Sequence, residues 1–390
     1  MANRLAFTWQ LSEAHGWGLV GVHTALHLVE RGRPPLLLAK PALETLRPEN
    51  RLRLRALEQE HDQLAAISAQ VGGQVIRTGD VDMLHALGNG FLKSGGAAIP
   101  FQGRRNVGVI AFEDTRLDDA ALARARGYDR VVVHSSYNRD LLLDRGLTDV
   151  GLVFQGIDPS EMTPLPPSGA FGDRFVVFSG GKLEFRKAQD VVLAAFRAFH
   201  ARHPDALLVT AWHNLWPASA RTIAESPLIE GAPEPDADGR LNIHAWAVAN
   251  GVPADAFIDL GFLGRRAVAA VLADCHAAVF PNRCEGATNL VAMEAMACGV
   301  PAILSANTGH LDVIRPGAAL PLTRQTPLPD PQGARTGWME SSVEELVEHL
   351  ETLYTDRAAA QAMAGRGLDV MRAERTWAAF AAGFVDLCTV

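Results

Sequence analysis

The sequence is short of cysteine, carries no excess of basic residues and contains no long apolar run. Only four of its 390 residues are cysteines: Cys275, Cys284, Cys298 and Cys388. Their irregular spacing matches neither a zinc pattern nor a disulfide framework, so they read as reduced thiols of a cytoplasmic protein. The formal net charge of −8 argues against a general nucleic-acid binder, because neutralising phosphates needs a basic face. No segment approaches the roughly 20 apolar residues of a spanning helix. The N-terminal stretch lacks the continuous apolar core of a signal peptide and reads straight into a strand. No repeat of solenoid period is present. His23 and His27 lie four apart on a helix, but no third ligand accompanies them, so no metal site is expected.

What is present is a well-packed composition, 48% hydrophobic and 21% charged, at a length that suggests two domains. Apolar strands and amphipathic helices alternate from the start. Leu5–Trp9 reads as a strand, followed by the Gly-rich turn HGWGLVG with Gly16, Gly18 and Gly21, a helix to Gly32 and a strand at Leu36–Ala39. A long polar helix is expected over Arg47–Ala69. Strands follow at Val81–Leu87 (carrying His85), Val107–Phe112, Val131–His134 and Val150–Phe154. Helices are expected at 118–127 and at Tyr137–Arg145. Asp158–Asp173, rich in Pro, Ser and Gly, reads as a linker. A second series has strands at Phe175–Ser179, Ala206–Ala211, Phe257–Leu260, Ala277–Pro281 and Pro301–Leu304. Its helices are at Ala188–His203, Arg265–Ala273 and Leu290–Cys298, with terminal helices at Val343–Leu353 and Arg357–Arg375. Residues 213–240 look like a loop insertion. The order predicts an α/β protein of two doubly wound domains, with ligands in the cleft at the carboxyl ends of the strands.

Two segments carry candidate chemistry. In Ser179–Phe196 a strand ends in Gly180–Gly181, with Lys182 and Lys187 before a helix. Glycines let backbone approach a ligand, and ammonium groups at a helix start suit a diphosphate; a solvated turn would also explain them. In Pro281–Ile303 a strand runs into a polar turn with Glu285, then a helix from Leu290 that carries Glu294 among Ala and Met. A carboxylate there needs a strong partner, either ligand hydroxyls or a core salt bridge. The amides of Thr288, Asn289 and Leu290 could face an anion. Together the two segments offer cations for phosphate and carboxylates for sugar hydroxyls, as a nucleotide diphosphate sugar requires.

These motifs resemble the group 1 family of retaining glycosyltransferases (glycosyltransferase family 4), most closely over Phe175–Ile314. In that family a basic residue and a lysine five later grip the donor diphosphate; Lys182 and Lys187 match, with Ala188 where glycine is usual. Glu294 with the following AMACGVP resembles the family's second glutamate. Eight residues separate it from Glu285 where the family has seven. Thr308–Ile314, TGHLDVI, is similar to the family's Gly-Gly-x-x-Glu segment, with His310 and Asp312 in place of the common residues. The resemblance implies GT-B architecture: two Rossmann-like domains facing a cleft, over 1–165 and 166–370, and a terminal helix, 371–390 with Trp377, crossing back to the first. It implies that Gly181, Lys182, Arg186 and Lys187 hold the diphosphate, and that Glu294 accepts from the donor ribose and Glu285 from the sugar ring. It places Gly16 and Gly18 in a loop near the phosphates and His85 against the transferred sugar, with His134 structural. It implies retention through front-face attack, with no metal and no cofactor beyond the donor, and an acceptor that is a glycan, a lipid-linked saccharide or a small molecule. Arg51, Arg53 and Arg55 could touch an anionic membrane surface, or form a solvated helix face.

Three alternatives remain on the residues. A nucleotide-sugar epimerase or phosphorylase could use the same architecture. A non-catalytic sugar-nucleotide binder would follow if Glu285 were misplaced. A dinucleotide oxidoreductase is suggested by the G-x-G-x-x-G spacing at 16–21, but the second strand ends on Lys40 rather than the acidic residue that fingerprint needs.

Overall fold

A computed structural model describes residues 3–214 and 217–389. Part of the N-terminal segment (residues 1 and 2), part of the 213–240 loop (215 and 216) and the last residue of the expected terminal helix lie outside the described residues. The chain divides into two compact units. The first is Met1–Gly156 with Pro331–Ala334 and Thr376–Val390; the second is Ile157–Asp330 with Arg335–Arg375. The Pro-rich stretch 158–173 therefore belongs wholly to the second unit.

The first unit is built on a seven-stranded sheet. Its strands run Leu36–Leu37, Arg4–Phe7, Val81–Gly88, Arg105–Ile110, Arg130–Val133 and Val150–Leu152, all parallel, with Leu92–Lys93 antiparallel on Val81–Gly88. The central strands are Val- and Leu-rich and buried along their length, as a sheet covered on both faces requires. The last helix, Trp377–Thr389, packs in this unit: Trp377 stacks on His23 at 4.7 Å, and Phe380 and Phe384 close around His134. His134 gives Nδ1 to the Val153 carbonyl, and burial lowers its pKa to about 4, so it is a neutral core residue.

Two expectations for this unit are corrected. Gly16, Gly18 and Gly21 do not form a loop; they lie inside the helix Gly16–Glu30, which His15 caps by accepting from the Gly18 amide through Nδ1 (3.0 Å). Gly18 and Gly21 serve close packing. A methyl on Gly18 would sit 2.2 Å from the Ser12 carbonyl oxygen, and one on Gly21 2.7 Å from Trp9 Nε1. Residues 8–15 separate the first strand from this helix, which is not the tight strand-to-helix turn of a dinucleotide site. Strict αβ alternation also fails. Between Gly88 and Arg105 there is no helix, only a short turn at Asn89–Phe91 and extended pieces. Gly90, Gly95 and Gly96 there adopt positive φ, which a helix cannot continue through.

The second unit has a six-stranded parallel sheet in the order Phe257–Asp259, Ala206–Trp212, Phe175–Gly181, Ala277–Phe280, Ala302–Ser305 and Leu320–Leu322. The chain leaves Phe175–Gly181 toward one side and returns on the other with Ala277–Phe280. Their carboxyl ends therefore mark the point where strand order reverses and a crevice opens. The 213–240 stretch carries a short helix at Pro217–Ala220 and a 3-10 turn at Arg221–Glu225. The helix Ile243–Ala249, started by Asn242 accepting from the Ala245 amide, was not expected; at seven residues it is too short for a clear period.

Gly18→Ala is expected to lower unfolding free energy by about 1–3 kcal/mol through the forced shift of Ser12. Gly79→Ala, with nothing within 4 Å of the added carbon, should stay within about 0.5 kcal/mol of the parent. Urea denaturation of the two variants side by side checks this.

Candidate functional site

The site begins where the strand Phe175–Gly181 ends. Gly181 takes φ 123°, a conformation open to glycine, and turns the chain into Lys182. A 3-10 turn, Phe185–Lys187, follows, and then Ala188 at φ 56° and ψ 40° before the helix Gln189–His200. The left-handed backbone at Ala188 accounts for glycine being the family's usual residue there. Gln189 ties the loop shut, donating to the Lys182 carbonyl (2.7 Å) and accepting from the Glu184 amide (3.3 Å).

Facing this loop is the turn after Ala277–Phe280. Two of its residues, two positions apart, send opposite charges into it. Arg283 is fully buried, with a bidentate pair to Asp190 (2.5 and 2.9 Å), a pair to Glu340 (2.7 Å) and a bond to the Phe185 carbonyl (2.5 Å). Its guanidinium also lies 3.9 Å from the Phe185 ring centroid. Glu285, also buried, receives Lys187 on Oε1 at 2.5 Å and Arg186 on Oε2 at 3.3 Å, and Asn282 donates to Oε1 as well. Burial alone would raise the Glu285 pKa. Lys187 and then Arg186, with help from His310, outweigh it and hold the carboxyl at about 2. Burial pushes the Lys187 pKa down, opposed by Glu285. Lys182 stands at the exposed end, 3.5 Å from Glu184, which also takes Arg186 at 2.5 Å.

The segment Thr308–Asp312 braces Glu285 from behind. The Thr308 hydroxyl accepts from the Glu285 amide (2.8 Å), and the Gly309 amide donates to its carbonyl (3.0 Å). A side chain at Gly309 has no room, since its Cβ would fall 1.6 Å from the Ala287 carbonyl oxygen. His310 is buried between Ser305 Oγ (2.8 Å, on Nδ1) and Asn289 Nδ2 (3.0 Å, on Nε2). Burial lowers its pKa to about 4, so the ring is neutral, with Nε2 accepting from the asparagine. Asn289 in turn caps the helix Leu290–Ala297 and holds φ 58°. The turn between Glu285 and that helix thus contains a left-handed asparagine. The Thr288 hydroxyl beside it is buried with no hydrogen-bond partner among the described residues.

Glu294 lies in the second turn of that helix. Its Oε1 takes Arg265 Nη1 at 2.6 Å, and Arg265 reaches Glu161 through Nε at 3.4 Å. The second carboxylate oxygen of Glu294 makes no hydrogen bond among the described residues. Lys182, Arg186, Lys187 and Glu285 are therefore brought into one ion network, while Glu294 belongs to a separate one. Lys187 and Asn282 donate to Oε1 of Glu285 and Arg186 to Oε2, so of the roughly four acceptor sites of a carboxylate three are engaged by these groups. Sequence reading missed Arg283, Asp190, Arg265 and Glu161. A signal was available in Arg283, a cation directly after a buried strand.

Gly16, Gly18 and His85 lie in the first unit. His85 gives Nε2 to Asn106 Oδ1 (2.9 Å), and burial lowers its pKa, leaving a neutral imidazole. It lines a cavity of about 320 Å³ with Thr8, Met83 and Lys93. Among the described residues no group of three His, Cys, Asp or Glu side chains is arranged to hold a metal ion.

The model of the family described as glycosyl transferases group 1 matches residues 165–368. No curated protein matches the chain. Among solved structures, the chain is similar to Anabaena HepE in complex with UDP and glucose (TM-score 0.65, 14% identity, 98% of each chain covered). It is also similar to sucrose-phosphate synthase from Thermosynechococcus elongatus (TM-score 0.63, 15% identity, 99% of this chain and 98% of that one). A third is α,α-trehalose 6-phosphate synthase from Burkholderia multivorans (TM-score 0.64, 13% identity, 100% and 98%). At these identities the structures share the fold, the two-Rossmann GT-B architecture.

Because Glu285 titrates in the folded state below its ordinary value of 4.5, its stabilisation is complete above that pH and is lost as pH falls toward 2. Glu285→Gln, which takes the carboxylate from buried Lys187 and one of two from Arg186, should cost about 3–5 kcal/mol at pH 7. The gap to the parent should narrow by pH 3, as denaturant titrations at the two pH values would show.

Proposed function

This chain belongs to the group 1 glycosyl transferases, and we propose that it moves a hexose from a nucleotide diphosphate sugar to an acceptor hydroxyl with retention of anomeric configuration. The observation that carries this reading is the loop at the end of Phe175–Gly181. There Lys182, Arg186 and Lys187 gather around the carboxylates of Glu184 and Glu285. Three cations thus stand at a strand-order reversal, beside a helix start, where a diphosphate is favoured.

In this reading the anomeric C–O bond breaks, and the diphosphate leaves with its electron pair. Lys187 and Lys182, with Arg186, stabilise the charge that develops on it. The acceptor oxygen bonds to the anomeric carbon from the same face, and its proton passes to a phosphate oxygen of the leaving group. These side chains supply the compensating charge without a bound metal. Glu285 is the counter-charge that holds Lys187 and Arg186 in place. Glu294, oriented by Arg265, offers its uncommitted oxygen to the ribose hydroxyls. Thr288, Asn289 and Leu290 stand at the start of the helix that faces the phosphates. His85 supplies hydrogen bonding as a neutral imidazole on the acceptor side. HepE, crystallised with UDP and with UDP-glucose, supports a nucleotide sugar as donor and makes UDP the first base to try. The absence of any long apolar helix among the described residues is consistent with work in the cytoplasm.

The test is nucleotide diphosphate release from intact nucleotide sugars in the presence of a saccharide acceptor panel, with and without a chelator, and proton NMR of the product. Transfer should persist with chelator, and the product should keep the donor's anomeric configuration. Lys187→Ala should lower kcat by about 10²–10³-fold or more. Glu294→Gln should act chiefly on the donor KM. Wild-type rates in both variants would contradict the assignment.

A further inference from the structure

Two cavities open along the connection from Gly88 to Arg105, where the first unit lacks a crossover helix. One is the cavity beside His85. The other, of about 390 Å³, is lined by Phe91, Lys93, Asn106, Arg124 and Tyr128, and Lys93 lines both. The chemistry of the larger wall is one-sided. Lys93 has no carboxylate partner among the described residues. Arg124 donates through Nε to the Gly90 carbonyl at 2.7 Å and pairs with no acid among them. Burial pushes the Tyr128 pKa up, so the hydroxyl keeps its proton; it too has no hydrogen-bond partner among the described residues. Asn106 gives its carbonyl oxygen to His85, which leaves its amide NH₂ as the uncommitted end. Asp129, the acid beside this wall, accepts from the Asn106 backbone amide at 2.7 Å and not from either cation.

Four donor groups thus line one cavity, and no lining side chain offers an acidic acceptor. Cations left unmatched are notable in a chain whose net charge is −8. The turn that carries the cavity is also strained: Phe91 holds φ 59° without being glycine, a cost of about 1–3 kcal/mol that persists where surrounding structure enforces it, often at ligand sites. A neutral sugar would bond to such a wall but leave both charges uncompensated. A phosphate or carboxylate would take charge-assisted bonds from both.

We propose that this cavity receives an anionic group, a phosphate ester or a carboxylate, carried on the acceptor saccharide, so that the acceptor class is an acidic sugar. The proposal rests on the glycosyl-transfer reading above. Its test is binding of glucose 6-phosphate, glucuronate and glucose to the full chain by calorimetry, with UDP binding measured in parallel. The comparison variant is Lys93→Ser combined with Arg124→Ser, at two exposed positions outside the donor loop. The anionic sugars are expected to bind at least tenfold more tightly than glucose. The double variant should lose that preference while UDP binding stays unchanged, and the tighter of the two anionic sugars names the group. Equal binding of all three sugars, no binding of either anionic sugar, or a preference that survives both substitutions would overturn the proposal. Failure of the wild type to bind any nucleotide would instead strike at the transfer reading, which the sugar arm does not touch.

Discussion

The facing loops at the strand ends of the second unit depend on an ionised carboxylate that is buried. An isolated carboxylate inside a protein would take up a proton or unfold its surroundings. Glu285 stays charged because Lys187, Arg186 and Asn282 converge on it from two different strand ends. Two residues earlier, Arg283 makes the reverse insertion into Asp190 and the Phe185 carbonyl. One turn thus sends a cation and an anion into the same neighbouring loop. The sheet ladder already sets the two strands side by side; above it, these ion pairs hold the two following loops against each other.

That constraint also explains the unusual backbone around the site. The loop must turn sharply after Lys187 to send a helix away, and Ala188 takes a left-handed conformation to do it. The turn after Glu285 must reach a helix start, and Asn289 does the same while its side chain caps that helix and meets His310. Strain at both points is held in place by the ion network and by Thr308–Asp312 behind it. The result is a preformed loop that gathers Lys182, Arg186 and Lys187 at one strand end.

The alternation of strands and helices, and hence the two Rossmann-like sheets, was legible in the sequence, because buried parallel strands read as short runs of Val, Leu and Ile between helical periods. The lysines at 182 and 187 and the glutamates at 285 and 294 were legible because charge directly after an apolar strand, or inside an Ala–Met helix, is conspicuous. What stayed hidden was pairing. Nothing in the order of residues says that Glu294 meets Arg265, or that Arg283 meets Asp190, since those partners are 29 and 93 positions apart. The glycines at 18 and 21 misled because a glycine needed for close helix packing and one needed for a turn look alike in sequence; only the structure shows that a side chain on Gly18 would meet the Ser12 carbonyl oxygen at 2.2 Å. The helix-free connection after Gly88 was likewise invisible behind the surrounding alternation.

The central claim is that the Lys182–Lys187 loop holds a nucleotide diphosphate. A thermal-shift comparison of the purified chain with UDP, GDP, ADP and NAD addresses it most directly, because a ligand that binds only the folded state raises apparent stability by mass action. A shift with one nucleoside diphosphate, absent in Lys187→Ala, is the result this account predicts. A shift with NAD alone, or a diphosphate shift that survives Lys187→Ala, would contradict it.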